Sequence, residues 1–348
     1  YQVIALQQTG FVDLEYKPGD YSTIYASTIG WSTGGVYRST DGGESFLEMT
    51  DNLPNSDFIR VELAVTPADP NVVYSLWTNS YTALKGVFRS DDSGSTWTEL
   101  ISGNDINLLG WAADGSDAGG QGAYDLTMSV SPTDEDEVWV GGINIWKSEN
   151  GGTDWTLNAH WDAGTVGAEY VHADQHIFIY SPQGILYSGN DGGIYKTLDG
   201  INWVDISHGI NILQVYRLGT SATDETLLVT GSQDNGSYKC DKGLWSGIMG
   251  GDGMECLIDY TNPDIIYATS QFGNLGKSTD GGYNFTNISP AENGAWITPY
   301  VIHPTDPNTL YAAYSNVYKT TNGGDEWTQI SGSLAGENFR TLALAPSN

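Results

Sequence analysis

A short pattern that recurs along this chain constrains its fold more than any other feature. The pattern places a basic residue before Ser or Thr, which is followed at fixed spacing by Asp or Asn, Gly and an aromatic residue. The copies read VYRSTDGGESF (36–46), VFRSDDSGSTW (87–97), IWKSENGGTDW (145–155), IYKTLDGINW (194–203), LGKSTDGGYNF (275–285) and VYKTTNGGDEW (317–327). One wide interval contains YKCDKGLW (238–245), which keeps only the basic and the last aromatic residue. The sequence therefore divides into seven repeats.

Each repeat contains four short runs with the alternation and punctuation of β-strands, as in WITPYVIHP, TLYAAY, NVYKT and EWTQIS of the last one. A four-stranded repeat of about 40–50 residues is typical of a propeller blade. We therefore predict an all-β fold, a seven-bladed β-propeller of four-stranded antiparallel blades, in a single domain over 1–348 that belongs to a longer protein. The predicted blades are approximately 11–50, 58–101, 123–159, 171–207, 212–248, 254–289 and 296–331. Residues 337–346 are predicted to close the ring or to begin an eighth blade.

The pattern itself predicts the hairpin between the third and fourth strands of each blade. Gly supplies positive φ, and the Asp and Ser side chains bond to amides of the turn. The final aromatic residue is expected to pack the turn onto its blade. The pattern is therefore strong evidence for the fold. It is weak evidence for function, because its residues stabilise the hairpins.

The net charge of −30, from 13 Lys and Arg against 43 Asp and Glu, disfavours nucleic acid as a partner. No apolar stretch approaches the roughly 18 residues that a membrane helix needs, so direct membrane insertion is not expected. Cys240 and Cys256 are the only cysteines, and they could form one disulfide or remain free thiols.

In a propeller, the loops from strand 4 to the next strand 1, and from strand 2 to strand 3, lie on the face opposite these hairpins. Long loops on a rigid scaffold are where binding sites usually lie. The tryptophans assigned to these loops are predicted to bind ligand: Trp31, Trp77, Trp111, Trp161 and Trp296. Aromatic faces stack on sugar rings, and carboxylates accept hydrogen bonds from hydroxyls.

Acidic side chains join the tryptophans on the same face, together with two histidines of a predicted strand. Asp162, His172 and His176 are further predicted ligand-binding residues, and Asp174, Asp191, Asp234 and Asp252 are candidate catalytic carboxylates. The alternative is that these Asp residues only form Asp-Gly and Asn-Gly turns.

His172, Asp174 and His176 alternate along one predicted strand, so they are expected to share a face. Such a trio is a candidate metal site or proton-transfer group, and the alternative is a structural role along the channel. No cofactor is predicted, although calcium is compatible with so acidic a surface.

The repeats resemble the Asp-box (BNR) repeats of sialidases, sortilin-like receptors, xyloglucanase-type glycoside hydrolases and surface proteins of gliding and marine bacteria, over nearly the whole chain. YVHADQH (170–176), GNDGGIYKT (189–197), GSQDNGS (231–237) and GGDGMEC (250–256) are similar to stretches common in the last group. This resemblance implies an extracellular or cell-surface location and neighbouring domains.

Two functions are compatible with these features. The first is a binding or adhesion module that recognises a glycan or a partner protein through the loop face. The alternative is a glycoside hydrolase, which needs two carboxylates about 5–10 Å apart, one of them with a raised pKa. Because xyloglucanase-type enzymes draw one carboxylate from each of two propellers, the resemblance implies that the isolated chain is incomplete as an enzyme, and the binding module is favoured.

A sialidase is disfavoured because such an enzyme binds the carboxylate of its sialic acid substrate with three arginines. Arg38 and Arg89 occupy the basic position of the repeat. Arg60, Arg217 and Arg340 would all have to converge on one site.

Overall fold

The structure, a computed structural model, describes residues 10–31, 34–210, 213–332 and 337–345. Within these residues every regular element is a β-strand, except for the single 3₁₀ turn Gln271–Gly273. No helix in the described ranges is long and apolar enough to cross a membrane. The chain divides into two compact units, Tyr1–Ile210 and Asn211–Asn348.

The first unit contains four sheets of consecutive strands. The first two sheets comprise β1 (Gly10–Tyr16), β2 (Ile24–Ile29), β3 (Val36–Ser39) and β4 (Leu47–Met49), then β5 (Val61–Val65), β6 (Val73–Thr78), β7 (Leu84–Ser90) and β8 (Thr98–Ser102). The third sheet comprises β9 (Thr127–Val130), β10 (Val138–Gly141), β11 (Ile145–Ser148), β12 (Thr156–His160) and the short parallel strand β13 (Glu169–Tyr170). The fourth comprises β14 (Gln175–Tyr180), β15 (Leu186–Asn190), β16 (Gly193–Thr197) and β17 (Trp203–Asp205).

The second unit contains three sheets. The fifth sheet comprises β18 (Val215–Thr220), β19 (Leu227–Ser232), β20 (Gly236–Asp241) and β21 (Leu244–Met249). The sixth and seventh comprise β22 (Cys256–Ile258), β23 (Ile266–Ser270), β24 (Asn274–Ser278) and β25 (Thr286–Asn287), then β26 (Tyr300–His303), β27 (Asp306–Ala313), β28 (Val317–Thr320) and β29 (Thr328–Gln329).

These seven blades, each built on four antiparallel strands, confirm the predicted fold class. Residues 337–345 contain no strand, and the Phe339 N–H donates to the Tyr314 carbonyl at 2.8 Å. Residue 346, the last of the predicted closing strand, lies outside the described residues. The single-domain extent stays a prediction.

Neighbouring sheets within each unit pack through apolar clusters. Tyr74 and Leu76 of the second sheet are buried with Val138 and Val140 of the third. In the second unit, Tyr267 of the sixth sheet is buried in one cluster with Leu310 of the seventh. Because the strands alternate their side chains between faces, each sheet can contribute to a cluster on either side of it.

The repeated pattern forms a hydrogen-bonded turn. The Ser39 hydroxyl donates to Asp41 at 2.7 Å and accepts from the Gly43 N–H at 2.9 Å, while Asp41 accepts from the Ser45 N–H at 2.9 Å. The bonds from Ser45 lower the pKa of Asp41 to about 2. Gly42 and Gly43 take φ values of 76° and 89°, which side chains with a Cβ disfavour. The same Ser/Thr to Asp/Asn bond recurs in the turns that begin at Ser90, Ser148, Thr197, Ser278 and Thr320.

The basic residue of the repeat bonds to the turn of the next blade. Arg38 donates to the Ser93 carbonyl at 2.6 Å, Lys239 to the Gly281 carbonyl at 2.7 Å, and Lys277 to the Gly323 carbonyl at 2.9 Å. A cation at this position therefore links successive blades, and its partner lies one repeat further along the sequence.

The fifth blade replaces the repeated turn with a two-residue hairpin. Lys242 and Gly243 have φ values of 52° and 81°, as the tight turns that match strand twist require. Trp245 is 56% exposed and does not pack the turn, unlike the buried Trp97 and Trp203. Cys240, in the same blade, is a buried free thiol, as is Cys256.

Ser90→Ala is expected to lower the free energy of unfolding by about 1–3 kcal/mol, because it leaves the buried Gly94 N–H without its acceptor. Urea unfolding followed by circular dichroism measures the change. Ser56→Ala, at an exposed position, is the matched control. Equal unfolding midpoints for the two variants would contradict a structural role for the Ser90 hydroxyl.

Candidate functional site

Three aspartates of the first unit come together at the loop ends of their sheets, and we name them the carboxylate cluster: Asp125, Asp174 and Asp191. Asp125 precedes β9, Asp174 precedes β14, and Asp191 lies in the two-residue β15–β16 hairpin. In an antiparallel blade, the start of the first strand and the hairpin between the second and third strands share one end. Oxygens of Asp174 and Asp191 lie within 4.8 Å of each other.

Asp125 is fully buried. Among the described residues, no donor reaches either of its carboxylate oxygens in hydrogen-bond geometry. Arg60 holds the backbone on both sides of it, donating to the Tyr124 carbonyl at 2.9 Å and to the Leu126 carbonyl at 3.0 Å. The loop is therefore anchored, and Asp174 is the neighbour with which the Asp125 carboxyl can share a proton.

Burial, and then the neighbouring charge of Asp174, hold the pKa of Asp125 well above its usual range. Burial, and then the charge of Asp191, also raise the pKa of Asp174. Asp174 accepts a hydrogen bond from the Gln121 amide at 2.9 Å and has a left-handed φ of 66°. Asp125 and Asp174 thus form a pair that retains a proton, because a buried and a half-buried carboxylate side by side resist joint ionisation.

The pKa of Asp191 is shifted in the opposite direction from those of Asp125 and Asp174. Although burial opposes ionisation, hydrogen bonds from the His176 ring at 2.7 Å and the Tyr124 hydroxyl at 2.8 Å hold the pKa of Asp191 below its usual range. The same bond to Asp191 raises the pKa of His176. The His176 and Tyr124 rings meet edge to face at 5.0 Å. A proton-holding pair therefore lies beside an ionised carboxylate, which is the arrangement that acid–base chemistry requires.

The sequence Asn190-Asp191-Gly192-Gly193 explains the position of Asp191. The Asn190 side chain accepts from the Gly192 and Gly193 N–H groups at 3.1 and 3.0 Å, which fixes the hairpin. A Cβ at Gly192 would lie 2.2 Å from Cγ of the His172 ring. Only glycine permits this approach, so His172 packs against the hairpin that carries Asp191.

Trp111 and Trp161 lie together in the loops of the third sheet and are 43% and 42% exposed. The Trp161 indole N–H donates to the Trp111 carbonyl at 3.2 Å. Buried Asn144 donates to the Gly110 carbonyl at 2.9 Å and accepts from the Trp161 N–H at 3.2 Å. The Trp161 indole and the backbone that carries the Trp111 indole are therefore fixed in position, and both indoles are half open to solvent, which suits stacking on a sugar.

The prediction that Trp77 binds ligand is wrong. Trp77 is 1% exposed on β6, where its ring packs edge to face with Phe58 at 4.9 Å and Phe88 at 6.1 Å. Its indole N–H donates to the Ser75 hydroxyl at 2.9 Å. Trp77 is a core residue because the strand extends further toward the loop end than its sequence indicates.

The predicted alternation of His172, Asp174 and His176 on one strand is also wrong. The strand begins at Gln175, and the left-handed conformation of Asp174 breaks the alternation before it. His176 bonds to Asp191, whereas the His172 ring nitrogen faces the Ala173 carbonyl at 3.2 Å. The structure therefore gives no support to these three residues as a common ligand set.

The remaining predicted residues of the first unit lie on its surface. Trp31 is 71% exposed. Asp162 accepts from the Gly164 N–H at 2.9 Å, so its side chain forms a turn, which is the alternative that the sequence left open.

Asp234, Asp252 and Trp296 belong to the second unit. Asp252 is buried and accepts from the Asp234 N–H at 2.7 Å and from the Gln271 amide. Asp234 has a left-handed φ of 59° in the β19–β20 hairpin. These bonds assign Asp252 a structural role in this hairpin, and its candidacy as a catalytic carboxylate loses its support. Trp296 is 41% exposed.

Four residues around the carboxylate cluster were not identified from the sequence: Arg60, Gln121, Tyr124 and Asp125. Asp125 follows Tyr124 and precedes the apolar strand LTMSV, and a charge at the entrance of such a strand is the one local signal of a special role. Arg60 and Gln121 carry no such signal, because their partners are distant in sequence.

No protein-family model matches the chain. The xyloglucanase Xgh74A of Acetivibrio thermocellus is 24% identical over 309 residues, which cover 73% of this chain and 36% of that protein. A xyloglucanase of a Paenibacillus species is 24% identical over 360 residues, which cover 92% of this chain and 31% of that protein. The chain spans about a third of the length of these curated relatives.

Among solved structures, a GH74 enzyme of Niastella koreensis is 17% identical, with a TM-score of 0.44 over 95% of this chain and 68% of that one. YCF48 of Cyanidioschyzon merolae is 13% identical, with a TM-score of 0.39 over 92% of this chain and 96% of that one. TM-scores below 0.5 give these two likenesses no weight for function. In sequence, the chain resembles xyloglucanases over most of its length.

Proposed function

We propose that the chain is a glycoside hydrolase that acts on a xyloglucan-type polysaccharide through the carboxylate cluster. The observation that carries the proposal is the buried Asp125 in one cluster with Asp174 and Asp191, with oxygens of the last two within 4.8 Å of each other. Burial and charge raise the pKa of Asp125 and Asp174, while hydrogen bonds lower the pKa of Asp191. The sequence resemblance to xyloglucanases supports the substrate class. The alternative function from the sequence is thus better supported than the binding module.

In this proposal Asp174 donates its proton to the oxygen of the scissile glycosidic bond. Asp191, ionised and close to Asp174, attacks the anomeric carbon and forms a glycosyl ester as the bond to the leaving oxygen breaks. A water molecule then hydrolyses this ester, giving its proton to Asp174 and releasing Asp191 as the anion. Asp125 is a positioning residue that shares the retained proton of the pair with Asp174, whose own raised pKa comes from burial and from the charge of Asp191. Tyr124 and His176 orient Asp191 and keep it ionised through their hydrogen bonds.

The proposal differs from the two-propeller arrangement that the resemblance implies, because both carboxylates belong to one unit of this chain. Assay of the chain alone tests that difference. We expect release of reducing ends from xyloglucan and a slower release, or none, from unbranched cellulose oligosaccharides. No release from any β-glucan would refute hydrolysis by this chain.

Further proposals follow from the same resemblance. The repeated turns are proposed to be Asp-box repeats, and the protein is proposed to act outside the cell and to carry neighbouring domains. Detection of the protein in the medium or at the surface of its source cells tests the location.

A second candidate function is a glycan-binding module, and the fixed, half-exposed pair Trp111 and Trp161 favours it. Affinity electrophoresis in gels that contain xyloglucan separates the two candidates. Retardation without release of reducing ends indicates binding alone.

The pH dependence of kcat/KM tests the assignment of Asp174 as the acid and of Asp191 as the ionised nucleophile. The active form needs Asp174 protonated and Asp191 ionised, so activity is expected to fall as pH rises through the raised pKa of Asp174. It is also expected to fall as pH drops through the lowered pKa of Asp191. His176→Gln removes a bond that lowers the pKa of Asp191 and is expected to move the acid limb up by about one pH unit. An unchanged acid limb in that variant would contradict the role of Asp191.

A further inference from the structure

A pocket of about 520 Å³ lies in the second unit, and its lining residues come from other sequence segments than those that form the carboxylate cluster. Its lining includes Arg217, Trp296, Glu337, Asn338 and Arg340. Arg217 lies on β18, Trp296 precedes β26, and the other three follow β29. The pocket therefore places two of the five arginines of this acidic chain beside the Trp296 indole.

The two arginines differ in their surroundings. Arg217 donates to Glu255 at 3.1 Å and to the Tyr216 carbonyl at 2.9 Å, which fixes its guanidinium at the pocket. Within the described ranges, no hydrogen bond or ion pair is found for Arg340, which is exposed. A guanidinium without an acidic partner is unusual on a surface that carries a net charge of −30.

Trp296 supplies a fixed aromatic surface beside these cations. Its ring meets Phe272 edge to face at 5.3 Å, and its indole N–H lies 3.4 Å from the Tyr216 hydroxyl. With 41% of the residue exposed, a face remains accessible to a ligand. An indole face suits the C–H surface of a pyranose, and a guanidinium fork suits a carboxylate.

We propose that this pocket binds a sugar that carries a carboxylate, as in the uronic acid units of acidic glycans. Trp296 stacks on the ring and Arg340 pairs with the carboxylate as a planar fork, while Arg217, whose charge is paired with Glu255, forms the wall of the pocket. Glu337 and Asn338 accept hydrogen bonds from ring hydroxyls. The acidic surface elsewhere repels such a ligand, so Arg340, unpaired among the described residues, directs it to this pocket. The inference is independent of hydrolysis at the carboxylate cluster.

Isothermal titration calorimetry with trigalacturonate tests the proposal, and the methyl ester of the same trisaccharide is the matched ligand without charge. We expect binding of the acid, little binding of the ester, and weaker binding at high salt. Arg340→Gln is expected to weaken binding of the acid about tenfold or more, while Arg340→Lys restores part of it. Lys242→Gln removes an exposed cation that does not line the pocket and is expected to leave binding unchanged.

Sialyllactose, titrated in parallel, identifies the source of the carboxylate. Binding of sialyllactose with the same dependence on Arg340 supports the pocket and assigns it to sialic acid instead of uronic acid. Equal binding of the acid and its ester, unchanged binding in Arg340→Gln, or no binding of either acidic sugar at millimolar concentration would overturn the proposal. Because Arg340 is exposed, its substitution tests the pocket without the risk to folding that Arg217→Gln carries through Glu255.

Discussion

Asp174→Asn is expected to reduce the release of reducing ends from xyloglucan by about 10²–10⁴-fold, the range that general acid catalysis supplies. Asparagine has nearly the shape of aspartic acid and can still accept from Gln121, but its amide has no acidic proton to give to the glycosidic oxygen. The measurement is a reducing-end assay with equal enzyme concentrations.

Two comparisons separate this effect from a general loss of folding. Asp51→Asn, at an exposed position of the first unit, should keep full activity. The thermal midpoint of Asp174→Asn should match or exceed that of the original protein, because the substitution removes a carboxylate whose ionisation is unfavourable in the fold. Full activity in Asp174→Asn would exclude this residue as the acid, and Asp191 would then need another partner.

Trp77→Ala is expected to lower the free energy of unfolding of the first unit by about 3–5 kcal/mol. The substitution empties a fully buried site between Phe58 and Phe88, where the surrounding strands can collapse only in part. Urea unfolding followed by circular dichroism measures the loss.

Trp161→Ala is the matched control, because it deletes the same side chain at a half-exposed position. We expect a change in unfolding free energy of under about 1 kcal/mol. Retardation by xyloglucan in affinity electrophoresis should nevertheless be lost. A large stability loss in Trp161→Ala would show that this indole is part of the core and not a platform for sugar.

The comparison of these two tryptophans shows that sequence patterns do not fix the residue at which a strand ends. Both are assigned by sequence to loops on the same face, yet one lies inside β6 and the other beyond the end of β12. Alternation identifies a strand without fixing its last residue, and a shift of one or two residues moves an indole from core to solvent. The same uncertainty placed Asp174 inside β14, one residue before the strand begins.

The repeated turn was determined by the sequence alone. The side-chain hydrogen bonds within the turn join residues at most four positions apart, as between Ser39 and Gly43, so the residues that make the turn stand close together in the sequence. Six such turns, together with the wide interval that keeps only the basic and the last aromatic residue, imply seven blades, because a four-stranded sheet buries its faces only against similar neighbours. Fold class therefore follows from local chemistry that is repeated.

Only the tertiary structure decided the carboxylate cluster. Tyr124 and Asp191 are 67 positions apart, and Gln121 and Asp174 are 53 apart, so no local pattern connects them. The protonation states also depend on burial and on neighbouring charges, which exist only after the blades have packed. The sequence thus determined the scaffold and the loops that could carry a site, whereas packing decided which carboxylates meet and which of them holds a proton.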